Sequence, residues 1–326
     1  MSRAVVAVIW SVATCALAVP TVQAGEVAGL KTFQAGTLAR ASEVNANFAA
    51  VKAAVDDSHA EIQELLKVVE SLQDTVATLS AQLAAVQDSP VMALAPFLSV
   101  DATGDVPRVR LTGVNVQVVN GAGRTGSANG AGNLIIGYDE PRISGDSVCS
   151  VGTDTAGNPV RDAASCAAQG GTWDLNHKSG SHYLIVGARH NYSGWGGIVA
   201  GLQNTSNNGY ASVTGGWRNA ATGRHASVSG GEQNWASGDD SSVSGGRGNE
   251  ASGWAASVSG GLANEATGSH SGISGGEGNK ATGTSSSVSG GHLNRAEGSH
   301  SAVSGGQSRA LGGPYSWRAG SLIEAN

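Results

Sequence analysis

The sequence SVSGGEQNWASGDDS (227–241) is followed by SVSGGRGNEASGWAA (242–256) and SVSGGLANEATGSHS (257–271), and the same 15-residue unit fills residues 211–313. One β-branched position recurs at this interval, at Ile198, Val213, Val228, Val243, Val258, Ile273, Val288 and Val303. Asparagines recur at 204, 219, 234, 249, 264, 279 and 294, and glycine pairs begin at 215, 230, 245, 260, 275, 290 and 305. This fixed short period predicts a β-solenoid in which each unit forms one turn.

Each predicted turn contains little apolar surface. Val228 should point inward between Ser227 and Ser229, and Gly230 and Gly231 should supply the backbone angles of a tight corner. Stacked asparagines should hydrogen-bond the neighbouring backbone at the next corner. The regular apolar content is one Val or Ile and one Ala per turn, which is small against the entropy of ordering 15 residues. We therefore expect the Val and Ala columns also to line a core shared with other copies of the chain.

A heptad pattern precedes the repeats. From Val44 to Val86 apolar residues alternate at steps of four and three, broken only at Ser58, which predicts an α-helical coiled-coil stalk over residues 42–88 with Ser42 as N-cap and Pro90 beyond its end. The residues at positions a and d favour a dimer, whereas apolar Leu66 and Val68 at e and g favour three helices. The heptads alone leave the number of helices open.

Residues 89–133 are predicted to form a neck with short β-strands, because 109–118 alternate between apolar and polar residues as a strand pair or one broken strand. Leu134–Gly137 and Leu184–Gly187 look like the first turns of the solenoid. The first turn and the insertion that follows occupy 134–183, the repeats 184–313 and a tail 314–326. Insertions in stacked folds commonly emerge on one face and are candidates for binding, and they are equally often tolerated additions without a function.

The N-terminus has the features of an export signal. Arg3 precedes an apolar run, and Val22-Gln23-Ala24 offers a cleavage site, so residues 1–24 are predicted to be a signal peptide followed by an N-terminal segment, 25–41. Cys15 gives a weaker lipoprotein alternative. No later segment approaches the length of a membrane-spanning helix, so we expect a secreted or cell-surface protein without a membrane span after cleavage.

Two cysteines, Cys149 and Cys166, remain in the predicted mature chain. In an oxidising compartment a pair of this kind predicts one disulfide that closes a small loop. Metal binding is the alternative, but His177 and His182 are the only nearby ligands of the usual type, and they complete a poor set of four. We expect no metal and no cofactor.

Other patterns argue against several functional classes. The net charge of −6 lacks the basic footprint of a nucleic-acid-binding protein. The G-x-G-x-x-G match at 121–126 lacks a surrounding βαβ unit, and the G-x-S-x-G match around Ser274 is one register of the repeat. Asn replaces Asp in the G-G-x-G-x-D calcium pattern. Because no column gathers carboxylates for general acid–base chemistry, we expect no enzyme.

Variable columns are the better candidates for contact with a ligand. Trp217, Trp235 and Trp254 occupy three such columns, and exposed aromatic residues on a rigid surface can stack on sugars or anchor a protein. The alternative is that they pack against a corner of an adjacent subunit. Four polar residues share another variable column, namely His225, Asp240, His270 and His300.

The short S-V-x-G strand, glycine corner, asparagine and closing A-[S/T]-G resemble the head repeats of YadA-type trimeric autotransporter adhesins. The similarity covers Leu184 to Gly313, with Leu134–Gly137 a more distant match. It implies a left-handed parallel β-roll of three chains and a role in adhesion. The strand S-V-S-G-G is more polar than the usual S-V-A-I-G, the stalk precedes the head, and 316–326 leave no room for a membrane barrel. Phe33–Gly36 and Ala41–Phe48 look instead like segments of phage tail-fibre-like and secreted fibrous proteins.

Three functions follow from these patterns as expectations. The first is a secreted homotrimeric adhesin-like fibre that binds a surface, matrix protein or glycan, with a phage-tail-fibre-like receptor-binding protein as a variant. The second is a solenoid whose hydroxyl column binds ice or a crystalline polysaccharide, through Thr214, Ser229, Ser244, Ser259, Ser274, Ser289 and Ser304. An extracellular lyase or glycosidase is the least favoured, because no convergent acid–base set is visible.

Overall fold

The computed structural model describes residues 27–319 and 322–324, which fall into two compact units that divide between residues 115 and 116. The boundary between the units lies inside the predicted neck. The predicted signal peptide, 1–24, lies outside the described residues.

The first unit is dominated by one long helix, α1 (Ala41–Gln87), in which no residue is buried. Ser42 is not its N-cap: the helix begins one residue earlier, with Arg40 as the cap, because the amides of Glu43 and Val44 both donate to the Arg40 carbonyl. From Phe48 to Val86 the apolar residues of the heptads are exposed, and Phe48 itself is 71% exposed. Across the described ranges, 27–319 and 322–324, no helix is both long and apolar enough to cross a membrane.

A short 3-10 helix, Met92–Leu94, and an antiparallel strand pair, Leu98–Asp101 with Arg108–Leu111, complete this unit. The sequence predicted that two strands within residues 109–118 pair with each other, and this prediction is wrong. The second strand ends at Leu111, residues 114–118 form no strand, and the pairing runs back to the upstream strand. An upstream partner was hidden from the sequence because Leu98–Asp101 has no alternation long enough to be recognised.

The second unit is a parallel β-solenoid of about nine turns, which confirms the predicted β-solenoid of 15-residue repeats. Its sheet 1 has twelve strands, of which the last two are antiparallel. The strands of sheet 1 are Leu134–Ile136, Leu184–Ala188, Ile198–Leu202, Ser212–Val213, Ser227–Val228, Ser242–Val243, Ser257–Val258, Gly272–Ile273, Ser287–Val288, Ala302–Val303, Trp317–Ala319 and Leu322–Glu324.

Sheet 2 has nine parallel strands and forms the opposite side of each turn. Its strands are Asn191–Tyr192, Thr205–Ser206, Ala220–Ala221, Trp235–Ala236, Glu250–Ala251, Glu265–Ala266, Lys280–Ala281, Arg295–Ala296 and Ala310–Leu311. The insertion between the first two strands of sheet 1 contains a small helix, α2 (Ala163–Ala168), and a two-stranded antiparallel sheet, Val148–Cys149 with Trp173–Asp174.

The repeat register differs from the sequence prediction at its first turns. Val213 pairs with Val199, not with Ile198. Val199 is fully buried, whereas Ile198 lies on the outer face of sheet 1. The corresponding corner residues, His190 and Asn204, are also 14 positions apart rather than 15. Side chains on a strand alternate between faces, so a turn one residue shorter moves the inward position from Ile198 to its neighbour.

The prediction that the Val and Ala columns line a core shared between copies is wrong. In the single chain the repeated Val, Ile and Ala side chains are only 0–2% exposed, so no apolar surface in these columns is left for a partner to cover. A third inward column, which the sequence analysis missed, closes the interior at the corner between the sheets. This column consists of Ala211, Ala226, Ser241, Ala256, Ser271, Ser286 and Ser301.

The predicted asparagine ladder is confirmed. The Asn234 amide N–H donates to Asn219 Oδ1 at 2.9 Å, and its Nδ2 donates to the carbonyls of Gly230 at 3.0 Å and Gly246 at 2.8 Å. Each buried asparagine therefore joins three consecutive turns. In five of the seven glycine pairs only the second residue has a positive φ, for example +86° at Gly231, whereas in the last two pairs the first residue, Gly290 or Gly305, has one as well. In those five pairs the backbone of the corner does not require the first glycine.

Candidate binding pocket

The insertion is fastened to the side of the solenoid. The predicted disulfide is present, with Cys149 and Cys166 Sγ atoms 2.01 Å apart, and Val160 and Trp173 pack around it. The two nearby histidines are occupied elsewhere, because each bonds a backbone carbonyl, His177 that of Val148 and His182 that of Thr125. The part of the chain that the structure describes contains no group of three side chains arranged to hold a metal ion.

A pocket of about 400 Å³ lies between the insertion and sheet 2. The insertion contributes Arg142 and residues 144–149 together with Arg161 and Trp173. The solenoid contributes side chains from three successive turns, including Gln203, Arg218 and Gln233. A concave site with several polar groups on a rigid scaffold is the usual form of a ligand site.

Arg142 is the most buried charged group of the pocket, at 7% exposed. Its Nη2 donates to the Gln203 carbonyl at 2.8 Å and to Thr205 Oγ1 at 3.1 Å, and its Nε donates to the Arg189 carbonyl at 3.3 Å. No carboxylate of the described residues lies within 4.0 Å of it. Burial, followed by the nearby charge of Arg218, lowers the pKa of Arg142 to about 10, so its guanidinium remains charged at neutral pH.

Arg218 is held by its neighbour Trp217. The guanidinium carbon lies 4.7 Å from the centre of the indole ring, a cation–π contact. Gln203 Oε1 accepts a hydrogen bond from Trp217 Nε1 at 2.9 Å and a longer one from Arg218 Nε at 3.4 Å. The stacking and these bonds fix the direction of the guanidinium, and no acceptor among the described residues bonds its Nη atoms.

A second Trp–Arg pair closes the other side of the pocket. Arg161 of the insertion lies 4.3 Å above the ring of Trp235, whose Nε1 donates to Thr222 Oγ1 at 3.0 Å. Unlike the first pair, this one is neutralised, because Arg161 forms an ion pair with Glu250. The contact fastens the insertion to sheet 2.

Of the three predicted tryptophans, Trp235 lines the pocket, and Trp217 lies beside it in contact with the lining residues Gln203 and Arg218. Trp254 lies apart, where its ring meets His270 edge-on at 4.4 Å. Trp217 and Trp235 are each covered on one face by an arginine of the same chain. Sequence analysis missed these arginines, and the only signal was that Arg218 directly follows Trp217.

The predicted histidine column forms a corner in which every residue has a left-handed φ. Tyr210 stacks on His225 at 5.5 Å, and His225 Nδ1 lies 3.0 Å from Asp240 Oδ1. The contacts run along the ladder and do not converge on a cavity. They therefore account for the column as packing between turns.

The outer face of sheet 1 is nearly free of large side chains from Ser212 onward. The column from Thr214 to Ser304 is exposed, as predicted for a hydroxyl ladder. Beside it, a Cβ added at Gly230, Gly245, Gly260 or Gly275 would have no described atom within 4 Å. The chain's own packing therefore does not explain why this column is glycine.

No protein-family model matches this chain, and no curated protein matches it.

Proposed function

We propose that the chain is a secreted, non-catalytic, adhesin-like fibre that binds a glycan, matrix protein or other surface ligand. The observation that carries this proposal is the pocket between the disulfide-linked insertion and sheet 2. It combines fixed aromatic and cationic side chains on a rigid repeat scaffold. We also propose that the solenoid is left-handed, as in the YadA-type β-roll.

We propose further that the functional form is a homotrimer joined through a coiled coil of α1. The support is the exposed apolar stripe, which runs the length of the helix with no buried residue in Ala41–Gln87. An isolated amphipathic helix of this kind needs a partner to bury its apolar side chains. Apolar Leu66 and Val68 beside the a and d positions favour three helices over two.

The association test is multi-angle light scattering on residues 25–326, for which a trimer mass is expected. Leu72→Asp should lower the association constant by at least 100-fold, because it places a charge in the apolar seam. Ser71→Asp, which adds the same charge one position away at heptad position c, should leave the trimer intact. A wild-type monomer at micromolar concentration would exclude the trimer.

The binding test is an array of glycans and matrix proteins probed with the purified full-length mature chain. Binding to a restricted set of ligands is expected. An array without any bound ligand, at a chain concentration of about 10 µM, would contradict the adhesive role.

The flat outer face of sheet 1 supports a second function, binding to an ordered lattice such as ice or a crystalline polysaccharide. Parallel strands repeat every 4.7–4.9 Å or so, and this spacing places the exposed hydroxyls in a regular row. Ser259→Tyr on this face should abolish thermal hysteresis or lattice binding, whereas Glu277→Tyr, in the column that already contains Trp217, should not. Absence of both activities from the wild-type chain would exclude this function.

A further inference from the structure

We propose that the pocket recognises an oxyanion, a carboxylate or sulfate group of an extracellular acidic saccharide, between Arg142 and Arg218. This inference rests on the proposed binding function and names the class of its ligand. It depends on the charge, the free hydrogen-bond donors and the fixed geometry of the two arginines.

The pocket is positively charged within an acidic chain. It is lined by three arginines, and Asp146 is the one acidic side chain among its described lining residues. Glu250 offsets the charge of Arg161, but the ion pairs of the described residues include neither Arg142 nor Arg218. Asp146 acts on Arg142 only from beyond ion-pair distance. A buried cation without an ion-pair partner is costly, and a bound anion would lower that cost.

Arg142 and Arg218 have hydrogen-bond donors that can bind a ligand. Among the described residues, no acceptor bonds Nη1 of Arg142 or either Nη atom of Arg218. Both side chains approach Gly145: a Cβ built there would lie 3.9 Å from Arg142 Cδ and 4.0 Å from Arg218 Nη2. The guanidinium edge matches the two oxygens of a carboxylate or sulfate group.

The surroundings favour a saccharide as the carrier of the anion. Ser144, Ser147 and Gln233 line the same pocket without being buried, and they offer hydroxyl and amide groups of the kind that bind sugar hydroxyls. Trp235 adds a partly exposed indole beside them. The stacking of Arg218 on Trp217 preorganises the anion-binding donors, so little side-chain entropy is lost on binding.

Arg218→Gln is the variant of choice because glutamine already occurs in this corner column. Gln203 and Gln233 have φ values of +56° and +57°, against +55° for Arg218. Arg142 is unsuitable, because its bonds to backbone carbonyls also hold the insertion. The matched control is Arg247→Gln, which removes the same charge from a column that contains Gln307. Arg247 is exposed and lies outside the pocket.

Isothermal titration calorimetry of the full mature chain with glucuronate, inorganic sulfate and neutral glucose, at constant ionic strength, tests the proposal. Glucuronate and sulfate should bind and glucose should not. Arg218→Gln should weaken binding by on the order of 10- to 100-fold, because hydrogen bonds to a charged group are lost. Arg247→Gln should stay within about twofold, and Asp146→Asn should tighten binding by about two- to fivefold since it removes a repelling carboxylate.

Equal binding by Arg218→Gln and wild type would overturn the proposal, as would an equal loss in Arg247→Gln, which would indicate diffuse attraction. Binding of glucose as tightly as glucuronate would do the same. The glycan and matrix-protein array distinguishes this inference from the proposed function. If the chain binds neutral ligands on the array and Arg218→Gln does not change that binding, the adhesive role stands and the anion site is refuted. An array without ligands would remove the adhesive role itself.

Discussion

Two adjacent glycines, Gly245 and Gly246, should respond in opposite ways to the same substitution. At Gly246 the backbone φ is +85°, and a Cβ would lie 2.2 Å from the Gly261 carbonyl oxygen and 2.5 Å from Asn249 Nδ2. At Gly245 a Cβ would meet no described atom within 4 Å, and φ lies outside the left-handed range. Alanine should therefore be strained at Gly246 and accommodated at Gly245.

The cost at Gly246 follows from two effects. A left-handed backbone costs a residue with a Cβ about 1–2 kcal/mol. The Gly261 carbonyl must move away, and it accepts from the Arg247 amide at 3.0 Å and from Asn249 Nδ2 at 2.9 Å. Losing both bonds adds about 1 kcal/mol each, so Gly246→Ala should lower the free energy of unfolding by about 3–4 kcal/mol. Gly245→Ala should change it by less than about 1 kcal/mol.

Urea unfolding followed by circular dichroism measures this difference. Because repeat arrays can open locally, hydrogen exchange of the Arg247 amide, which donates to the next turn, should accompany it. The Gly246→Ala variant should exchange faster there, and Gly245→Ala should not. If the two variants unfold within about 1 kcal/mol of each other, the assignment of the corner to the second glycine is refuted.

Three further outcomes are expected. Asn249→Ala should lower the free energy of unfolding by about 3 kcal/mol or more, since several buried partners lose their bonds, and a urea midpoint near that of the wild type would contradict the ladder. His190 accepts from the Asn204 amide at 3.2 Å, and burial lowers its pKa, so it stays neutral in the folded chain while the unfolded chain takes up a proton below about pH 6.5. Stability from this group should be complete above that pH and decrease from pH 6.5 towards 5, and urea titrations of His190→Asn should show a smaller decrease. Replacing Cys149 and Cys166 by Ser should cost about 3 kcal/mol by loop entropy, with loss of hydrogen-exchange protection in the insertion and not in sheet 2.

Repetition explains why much of the solenoid was predictable. Each turn stacks on a nearly identical turn, so a residue's principal neighbour is the residue 15 positions away, and a column in the sequence is a contact in space. The inward Val228, the exposed serines beside it and the ladder of Asn219, Asn234 and Asn249 follow from this alone. The disulfide was predictable for a different reason, since two cysteines allow one pairing.

The sequence by itself therefore determined the repeat, the ladder and the long helix with its apolar stripe. The tertiary structure decided the 14-residue first turns, the closed interior and the pocket. The length of the first turns and the closed interior depend on which side chains point inward from the two facing sheets. A shift of one residue exchanges the inward and outward side chains of a strand. The pocket depends on contacts between the insertion and the solenoid, such as that of Arg142 with Gln203 across 61 positions, and no period in the sequence encodes contacts between segments that do not repeat.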